Sequence, residues 1–124
     1  MGTSAAPKSV TWQQARESGT ALFVWRRNIG LNREVFARLS NFSERTLATY
    51  EKQKKLPAPV QAQVTEAVRL VKALLELIPA EDLPAWLQRR NRGFKGRSPW
   101  ELIENGERDV IWEMIHQTRH GAFA

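Results

Sequence analysis

The sequence predicts an all-α protein, and three kinds of signal support this fold class. Apolar residues recur at intervals of three and four, most regularly between residues 60 and 78, which is the spacing of one helical face. Candidate helices follow residues whose side chains cap helix N-termini, namely Asn32, Ser43 and Ser98. Pro79, Gly106 and Gly121 stand where three of the predicted helices should end. We therefore expect a chain built from short helices and one long one.

The first predicted domain covers residues 20–58 and follows an N-terminal arm with a short helix over residues 1–19. A helix is expected over residues 21–29, and Asn32 caps the next one. Its apolar residues Val35, Phe36 and Leu39 should face the core. This part of the chain is expected to form a small helical bundle.

A short turn separates the helix capped by Asn32 from the helix capped by Ser43, and this gives the two helices the spacing of a helix-turn-helix motif. Asn41 occupies a turn position that often requires a positive φ. The helix capped by Ser43 should bury Leu47 and Tyr50, which leaves polar side chains at its outer, N-terminal end. A recognition helix contacts base edges with that end, so double-stranded operator DNA is the expected partner. The alternative is an amphipathic hairpin that binds no DNA. The predicted contacts are Asn32, Arg33, Ser43, Glu44, Arg45, Thr46, Thr49, Lys52, Lys54 and Lys55.

Positive charge is confined to the first half of the chain. Residues 1–58 contain ten Lys or Arg and four Asp or Glu, whereas residues 59–124 contain nine of each. The whole net charge of +6 therefore lies before residue 59, as expected of a domain that neutralises phosphates. For Lys52, Lys54 and Lys55, a solvated loop after a helix C-terminus is the open alternative.

Residues 30–57 resemble the helix-turn-helix of the Xre family of repressors, aligned without a gap. The matching positions are Gly30-Leu31, Ala37, Ser43, Thr46-Leu47 and Tyr50-Glu51. Asn41 and Gln53 stand where the family often has Gly. In Xre domains the position of Arg26 pairs with that of Glu51, so the resemblance implies a structural ion pair between them.

The second predicted domain covers residues 59–124 and begins after a connector with Pro57 and Pro59. Its clearest start signal is Ser98-Pro99 with Glu101, which combines an N-cap, a Pro at the first helical position and a capping box. Four helices are expected: residues 60–78, a brief helix from Asp82, a short helix from Pro99, and residues 107–119.

Residues 66–123 resemble the toxin-binding domain of the Xre/MbcA/ParS antitoxins. The residues that carry this resemblance are Trp86-Leu87, Gly96-Arg97-Ser98-Pro99, Leu102-Ile103, Gly106 and His120-Gly121. Trp100 replaces a smaller apolar residue of the family pattern. The resemblance implies an antitoxin of a type II toxin–antitoxin system, which inhibits a RES-domain toxin that consumes NAD and represses its own operon. In that family the C-terminal segment enters the toxin's active site.

Three parts of the second domain are therefore candidates for toxin contact. The family's plug corresponds to Arg119, His120, Gly121, Ala122 and Phe123; a frayed tail is the alternative. Trp112, His116 and Arg119 lie at helical spacing on a face away from the apolar stripe. A basic loop, residues 89–97, contains Arg89, Arg90, Arg92, Lys95 and Arg97. This loop has three open interpretations: solvation, contact with an acidic toxin surface, or an additional contact with DNA.

Several other functions are disfavoured by composition. The chain has no Cys, and its two His residues, His116 and His120, are too few for a convincing metal site. It has neither a Ser/His/Asp set nor a Gly-rich phosphate loop, so we expect no enzyme, cofactor or metal. Without a signal peptide or a long apolar stretch, we expect a cytoplasmic protein with no membrane contact. A homodimer on a palindrome is expected, with higher-order toxin complexes. The alternative is a stand-alone Xre-type regulator without a toxin.

Overall fold

The computed structural model describes residues 10–121. The regular secondary structure in this range is helical, apart from an isolated bridge between Asn91 and Arg97. Its α-helices are α1 (Trp12–Ala15), α2 (Gly19–Asn28), α3 (Arg33–Ser40), α4 (Glu44–Tyr50), α5 (Ala58–Leu75), α6 (Leu83–Gln88), α7 (Pro99–Glu104) and α8 (Arg108–Arg119). Short 3-10 helices occupy Ala80–Asp82 and Arg92–Phe94. The all-α prediction is confirmed.

The chain divides into two compact units, Met1–Arg69 and Leu70–Ala124, so that α5 begins in the first and ends in the second. Pro59 lies in the first turn of α5 and does not interrupt it, because the first helical N–H groups need no intrahelical acceptor. The helix ends at Leu75, earlier than the predicted Ile78, because the chain then tightens: Glu76 N–H donates to the Ala73 carbonyl and Leu77 N–H to the Leu74 carbonyl, three residues back.

The N-terminal unit packs α2, α3 and α4 around fully buried apolar side chains. These include Leu22, Phe36, Leu39 and Leu47, and the Trp25 ring packs edge-on to Phe36 with centroids 6.3 Å apart. Helix α2 starts two residues before the predicted position, because the Ser18 hydroxyl caps it by accepting a hydrogen bond from Ala21 N–H.

Tyr50 is half-buried, so the prediction that α4 buries it was wrong. It lies in the last position of this short helix and packs against the half-buried ring of Phe42, with centroids 5.3 Å apart. The two rings cover each other at the surface, while Leu47 alone anchors α4 in the core.

The start of α2 lies directly against the end of α4. Thr20 N–H donates to the Gln53 carbonyl at 3.1 Å, and a Cβ placed on Gly19 would lie 1.8 Å from the Tyr50 carbonyl oxygen. Leu56 N–H donates to the Glu17 carbonyl at 2.8 Å. Glycine is therefore required at position 19 for this close approach of two backbones.

The C-terminal unit buries one apolar face from each of α6, α7 and α8. The buried residues include Leu83, Leu87, Trp100, Leu102, Ile103, Ile111 and Ile115. Thr118 is exposed, with its hydroxyl donating to the Met114 carbonyl. The apolar stripe of α8 thus ends one turn before the helix does.

The capping box predicted at α7 is present. Ser98 N–H donates to Glu101 Oε1 at 2.8 Å, and Glu101 N–H donates to Ser98 Oγ at 3.2 Å. The bond from the Ser98 backbone lowers the pKa of Glu101, and the Ser98 hydroxyl and the charges of Arg90 and Arg97 act in the same direction. Together they outweigh desolvation, so the folded state favours the ionised carboxylate.

Gly19→Ala should lower the melting temperature by several degrees. Alanine normally stabilises a helix relative to glycine, but here its methyl group collides with backbone, and overpacking typically costs about 1–3 kcal/mol. The control is Thr20→Ala, which keeps the Thr20 N–H bond to Gln53. A Gly19→Ala chain as stable as wild type in thermal melts would contradict the close approach.

Glu101→Gln should remove a pH-dependent contribution to stability. Because the folded-state pKa is lowered, the contribution is present above the ordinary value of 4.5 and is lost as pH falls through the lowered pKa. The wild-type melting temperature should exceed that of the variant at neutral pH, and the gap should close on acidification. A gap that stays constant down to about pH 3 would refute this.

Candidate nucleic-acid interface

The turn between α3 and α4 is closed by a left-handed residue. Asn41 has φ 66° and ψ 33°; its N–H donates to the Arg38 carbonyl at 3.3 Å, and Phe42 N–H donates to the Ala37 carbonyl at 2.8 Å. These are the two bonds of a Schellman motif. Asparagine tolerates the left-handed region better than other non-glycine residues, so it closes the turn where the Xre pattern often has Gly.

Helix α4 directs polar side chains outward from its first turn. Ser43 Oγ accepts a hydrogen bond from Thr46 N–H at 3.0 Å and donates to Thr46 Oγ1 at 2.9 Å, while the Thr49 hydroxyl donates to the Arg45 carbonyl. All of these side chains are exposed, as is that of Glu44. Because the three hydroxyls make local bonds, Arg45 and Glu44 are the long side chains best able to reach a ligand.

Arg26 and Glu51, the pair implied by the Xre resemblance, form a buried bidentate ion pair. Arg26 Nε lies 2.8 Å from Glu51 Oε2, and Nη2 lies 2.9 Å from Oε1. Arg26 is 3% exposed and Glu51 is 5% exposed. A third donor, Arg26 Nη1, binds the Leu31 carbonyl at 3.1 Å in the turn before α3. The pair therefore joins α2 to the C-terminal end of α4.

Arg33 also binds this carboxylate, which the sequence analysis did not anticipate. Its Nε lies 3.0 Å from Glu51 Oε1, and its side chain is 38% exposed. Arg33 was predicted as a DNA contact, and its geometry adds a structural role at the first residue of α3. Sequence alone gave no signal for it, since Arg33 and Glu51 are brought together only by tertiary packing.

An open cleft of ≈ 410 Å³ lies beside the buried pair. Its lining residues are Phe23, Arg26, Arg27, Gly30, Leu31, Asn32 and Arg33. The guanidinium carbons of Arg26 and Arg27 lie 5.4 and 5.5 Å from the centroid of Phe23. Sequence reasoning missed Phe23 and Arg27, although aromatic and basic residues three and four positions apart on a helix are a recognisable pattern.

The remaining predicted DNA contacts lie on the surface of the N-terminal unit. Asn32 is exposed and caps α3, with Oδ1 accepting a hydrogen bond from Val35 N–H at 2.9 Å. Lys52, Lys54 and Lys55 are exposed in the segment after α4. The capping oxygens of Asn32 and Ser43 fix helix starts, so their contribution to a ligand would come from their other atoms.

The predicted toxin contacts lie in the C-terminal unit, and two of them form ion pairs. Arg97 Nη1 lies 2.7 Å from Glu107 Oε2, and Arg119 Nε lies 3.1 Å from Glu76 Oε1. The rings of Trp112 and His116 pack with centroids 6.0 Å apart. His120 and Gly121 are exposed at the end of α8. Phe123 and Ala122 lie outside the described residues.

Comparison of the chain with known proteins gave no match to a family model, a curated protein or a solved structure. None of the helices within residues 10–121 combines the length and the apolar character needed to cross a membrane. In the same range, no three His, Asp or Glu side chains are grouped so as to hold a metal ion.

Glu51→Gln should strongly destabilise the N-terminal unit. The amide leaves the buried Arg26 without its counter-charge, and breaking such a pair typically costs about 3–5 kcal/mol. Glu76→Gln is the control, because it breaks the exposed pair with Arg119, worth about 0.2–1 kcal/mol. In chemical denaturation, the free energy of unfolding should fall much more for Glu51→Gln than for Glu76→Gln. Equal losses would mean that burial adds nothing to the Arg26–Glu51 pair.

If the outer side of α4 reads base edges of an operator, Arg45→Ala should weaken operator binding by about 1–3 kcal/mol, with a smaller loss on random DNA. Arg69→Ala, which removes an exposed cation from α5, is the matched control. Gel-shift titrations on both DNAs would measure the losses. Equal losses of Arg45→Ala on operator and random DNA would remove Arg45 from base contact.

Proposed function

We propose that this chain is an antitoxin of a type II toxin–antitoxin system. Its α3–turn–α4 segment binds operator DNA and represses the chain's own operon, and its C-terminal unit binds and inhibits a RES-domain toxin that consumes NAD. The protein acts as a cytoplasmic homodimer and has no catalytic activity of its own. This proposal rests on the sequence resemblance to the Xre/MbcA/ParS antitoxins, together with the geometry described above.

The proposal of DNA binding rests mainly on the difference between the inner and outer sides of α4. Its inner side is anchored by Leu47 and by the Glu51 carboxylate, while Glu44, Arg45, Thr46 and Thr49 are exposed on its outer side. A recognition helix needs this combination, because a rigidly held helix presents its polar side chains to base edges in one orientation. The net charge of +6 in residues 1–58 supplies attraction to phosphates.

The toxin-binding part is supported by α8. Trp112 and His116 pack together on the half-buried to exposed side of this helix, and aromatic rings with polar edges are favoured anchors of protein interfaces. Arg119 follows one turn later and pairs with Glu76 where both side chains are substantially exposed. Such a pair stabilises the fold little, so a partner's carboxylate can replace Glu76 at small cost.

A stand-alone Xre-type regulator is the second candidate. The ion pairs of Arg97 with Glu107 and of Arg119 with Glu76 favour it, because two cations assigned to toxin binding already have counter-charges in the chain. The two candidates differ in one property. Only the antitoxin binds a RES-type protein and abolishes its NAD consumption.

Deleting residues 120–124 should separate the two proposed activities. The deletion retains all of α8, including Arg119, so the chain should still fold and bind operator. It should lose protection against the toxin, because four of the five residues corresponding to the family's plug are gone. Arg45→Ala should instead weaken operator binding and leave protection intact. The readouts are growth rescue, NAD consumption by purified toxin, and operator gel shifts.

Full inhibition by the deleted chain would move the toxin contact to the Trp112 and His116 side of α8. Failure of the full chain to co-purify with, or to inhibit, any RES-type protein that is encoded beside it would favour the stand-alone regulator. Loss of operator binding by the deleted chain would contradict the assignment of DNA binding to the N-terminal unit and of toxin binding to the C-terminal unit.

A further inference from the structure

The basic loop, residues 89–97, is a closed and internally bonded turn. Asn91 N–H donates to the Arg97 carbonyl, and Phe94 N–H and Gly96 N–H both donate to the Asn91 carbonyl, each at 3.0 Å. The Asn91 side chain accepts a further bond from Gly93 N–H at 2.8 Å. With its backbone groups satisfied in this way, the loop holds one conformation, which a merely solvated loop does not need.

A buried aromatic side chain anchors the loop in the C-terminal unit. Phe94 is 3% exposed, and its ring packs edge-on to Trp86 with centroids 6.3 Å apart. The flanking residues Arg92, Gly93, Lys95 and Gly96 are all exposed. The single apolar residue of the loop thus points inward, and the surface that the loop offers is polar and cationic.

The cations of the loop fall into two groups. Arg97 pairs with Glu107, and Arg90 lies close enough to Glu101 for its charge to help lower the pKa of that carboxyl group. Arg89, Arg92 and Lys95 are exposed side chains on a loop that contains no acidic residue. Three cations within seven residues of the chain repel one another, so an external counter-charge would stabilise them.

Lys95 is held in an unfavourable backbone conformation. Its φ is 58° and its ψ is 40°, the left-handed region in which residues with a Cβ are strained, and Gly96 follows with φ 81°. A glycine at position 95 would adopt these dihedrals without strain. The backbone at position 95 therefore favours glycine over lysine, and a function of the Lys95 side chain outside the fold would account for lysine at this position.

We propose that the basic loop binds the phosphate backbone of double-stranded DNA through Arg89, Arg92 and Lys95. The exposed surface of the loop consists of Arg, Lys, Gly and Asn. This composition suits phosphate contacts, whereas the cores of protein interfaces are depleted in charge and rich in aromatic residues. The contact is independent of base sequence and extends DNA binding to the C-terminal unit. It rests on the proposed function only in taking DNA as the ligand.

The test measures how the affinity of the full chain for a random-sequence duplex depends on salt. Arg92→Ala with Lys95→Gly should reduce the slope of log affinity against log salt by about 0.9 for each phosphate contact removed. The melting temperature should not fall, since Gly relieves the strain at position 95. The control is Arg69→Ala with Lys72→Ala, which removes two exposed cations from α5 and should leave the slope close to that of wild type.

Adding the loop substitutions to Arg45→Ala distinguishes this inference from the proposed function. A reduced slope in that background would support the loop contact even if Arg45 reads no base. A slope unchanged by the loop substitutions would overturn the inference, as would equal slope reductions in the loop variant and the α5 control. Unchanged DNA binding combined with weakened capture of the RES-type toxin would assign the loop to an acidic protein surface instead.

Discussion

The buried carboxylate of Glu51 is the constraint on which the N-terminal unit depends. It accepts three hydrogen bonds, two from Arg26 and one from Arg33, and Arg26 also binds the Leu31 carbonyl. Three helices and one turn therefore meet at a single charge. Removing a carboxylate and a guanidinium from water is costly, and good geometry with saturated hydrogen bonding is needed to offset that cost. An arrangement of α2, α3 and α4 that separated these groups but kept them buried would leave a charge without a partner, so the network favours one orientation of α4.

This network also determines how charge is distributed over the N-terminal unit. Burial of Arg26 with Glu51 removes one charge of each sign from the surface. Among the described residues before residue 59, the exposed cations are Arg27, Arg38, Arg45, Lys52, Lys54 and Lys55. Arg33 remains partly exposed while bonded to Glu51, and it lines the cleft that contains Phe23 and Arg27. Arg33 therefore belongs both to the ion-pair network of Glu51 and to the cationic surface. In the C-terminal unit, by contrast, Arg97 and Arg119 pair with carboxylates at the surface, where exchange of partners costs little.

Local features of the fold could be predicted from the sequence, and long-range contacts could not. The caps at Asn32, Ser43 and Ser98 are present because each depends on atoms within three residues. The left-handed turn at Asn41 is local for the same reason. The approach of Gly19 to the Tyr50 carbonyl and the bond from Arg33 to Glu51 join residues that are distant in sequence, and no periodicity encodes them. The pairing of Arg26 with Glu51 was expected only through the resemblance to Xre domains. Of the candidate site, the exposure of α4 followed from its pattern, whereas the cleft beside Phe23 did not.

The side chains on the exposed side of α4 explain why a surface of this kind would need a homodimer to read DNA selectively. Ser43, Thr46 and Thr49 use their hydroxyls for bonds within the helix and its cap, which leaves Arg45 and Glu44 as the long side chains facing a ligand. Arginine suits guanine and a carboxylate suits the amino group of cytosine, so one copy distinguishes few base pairs. In the proposed DNA complex, phosphates would also repel Glu44, and neighbouring cations would have to compensate for this. The proposed second copy on a palindrome would double the number of bases that are read. Contacts that are independent of sequence, from Lys52, Lys54 and Lys55 or from the basic loop, would add affinity but no discrimination. Selectivity in this protein would therefore depend on how rigidly Glu51 holds α4, and affinity on how many cations reach the backbone.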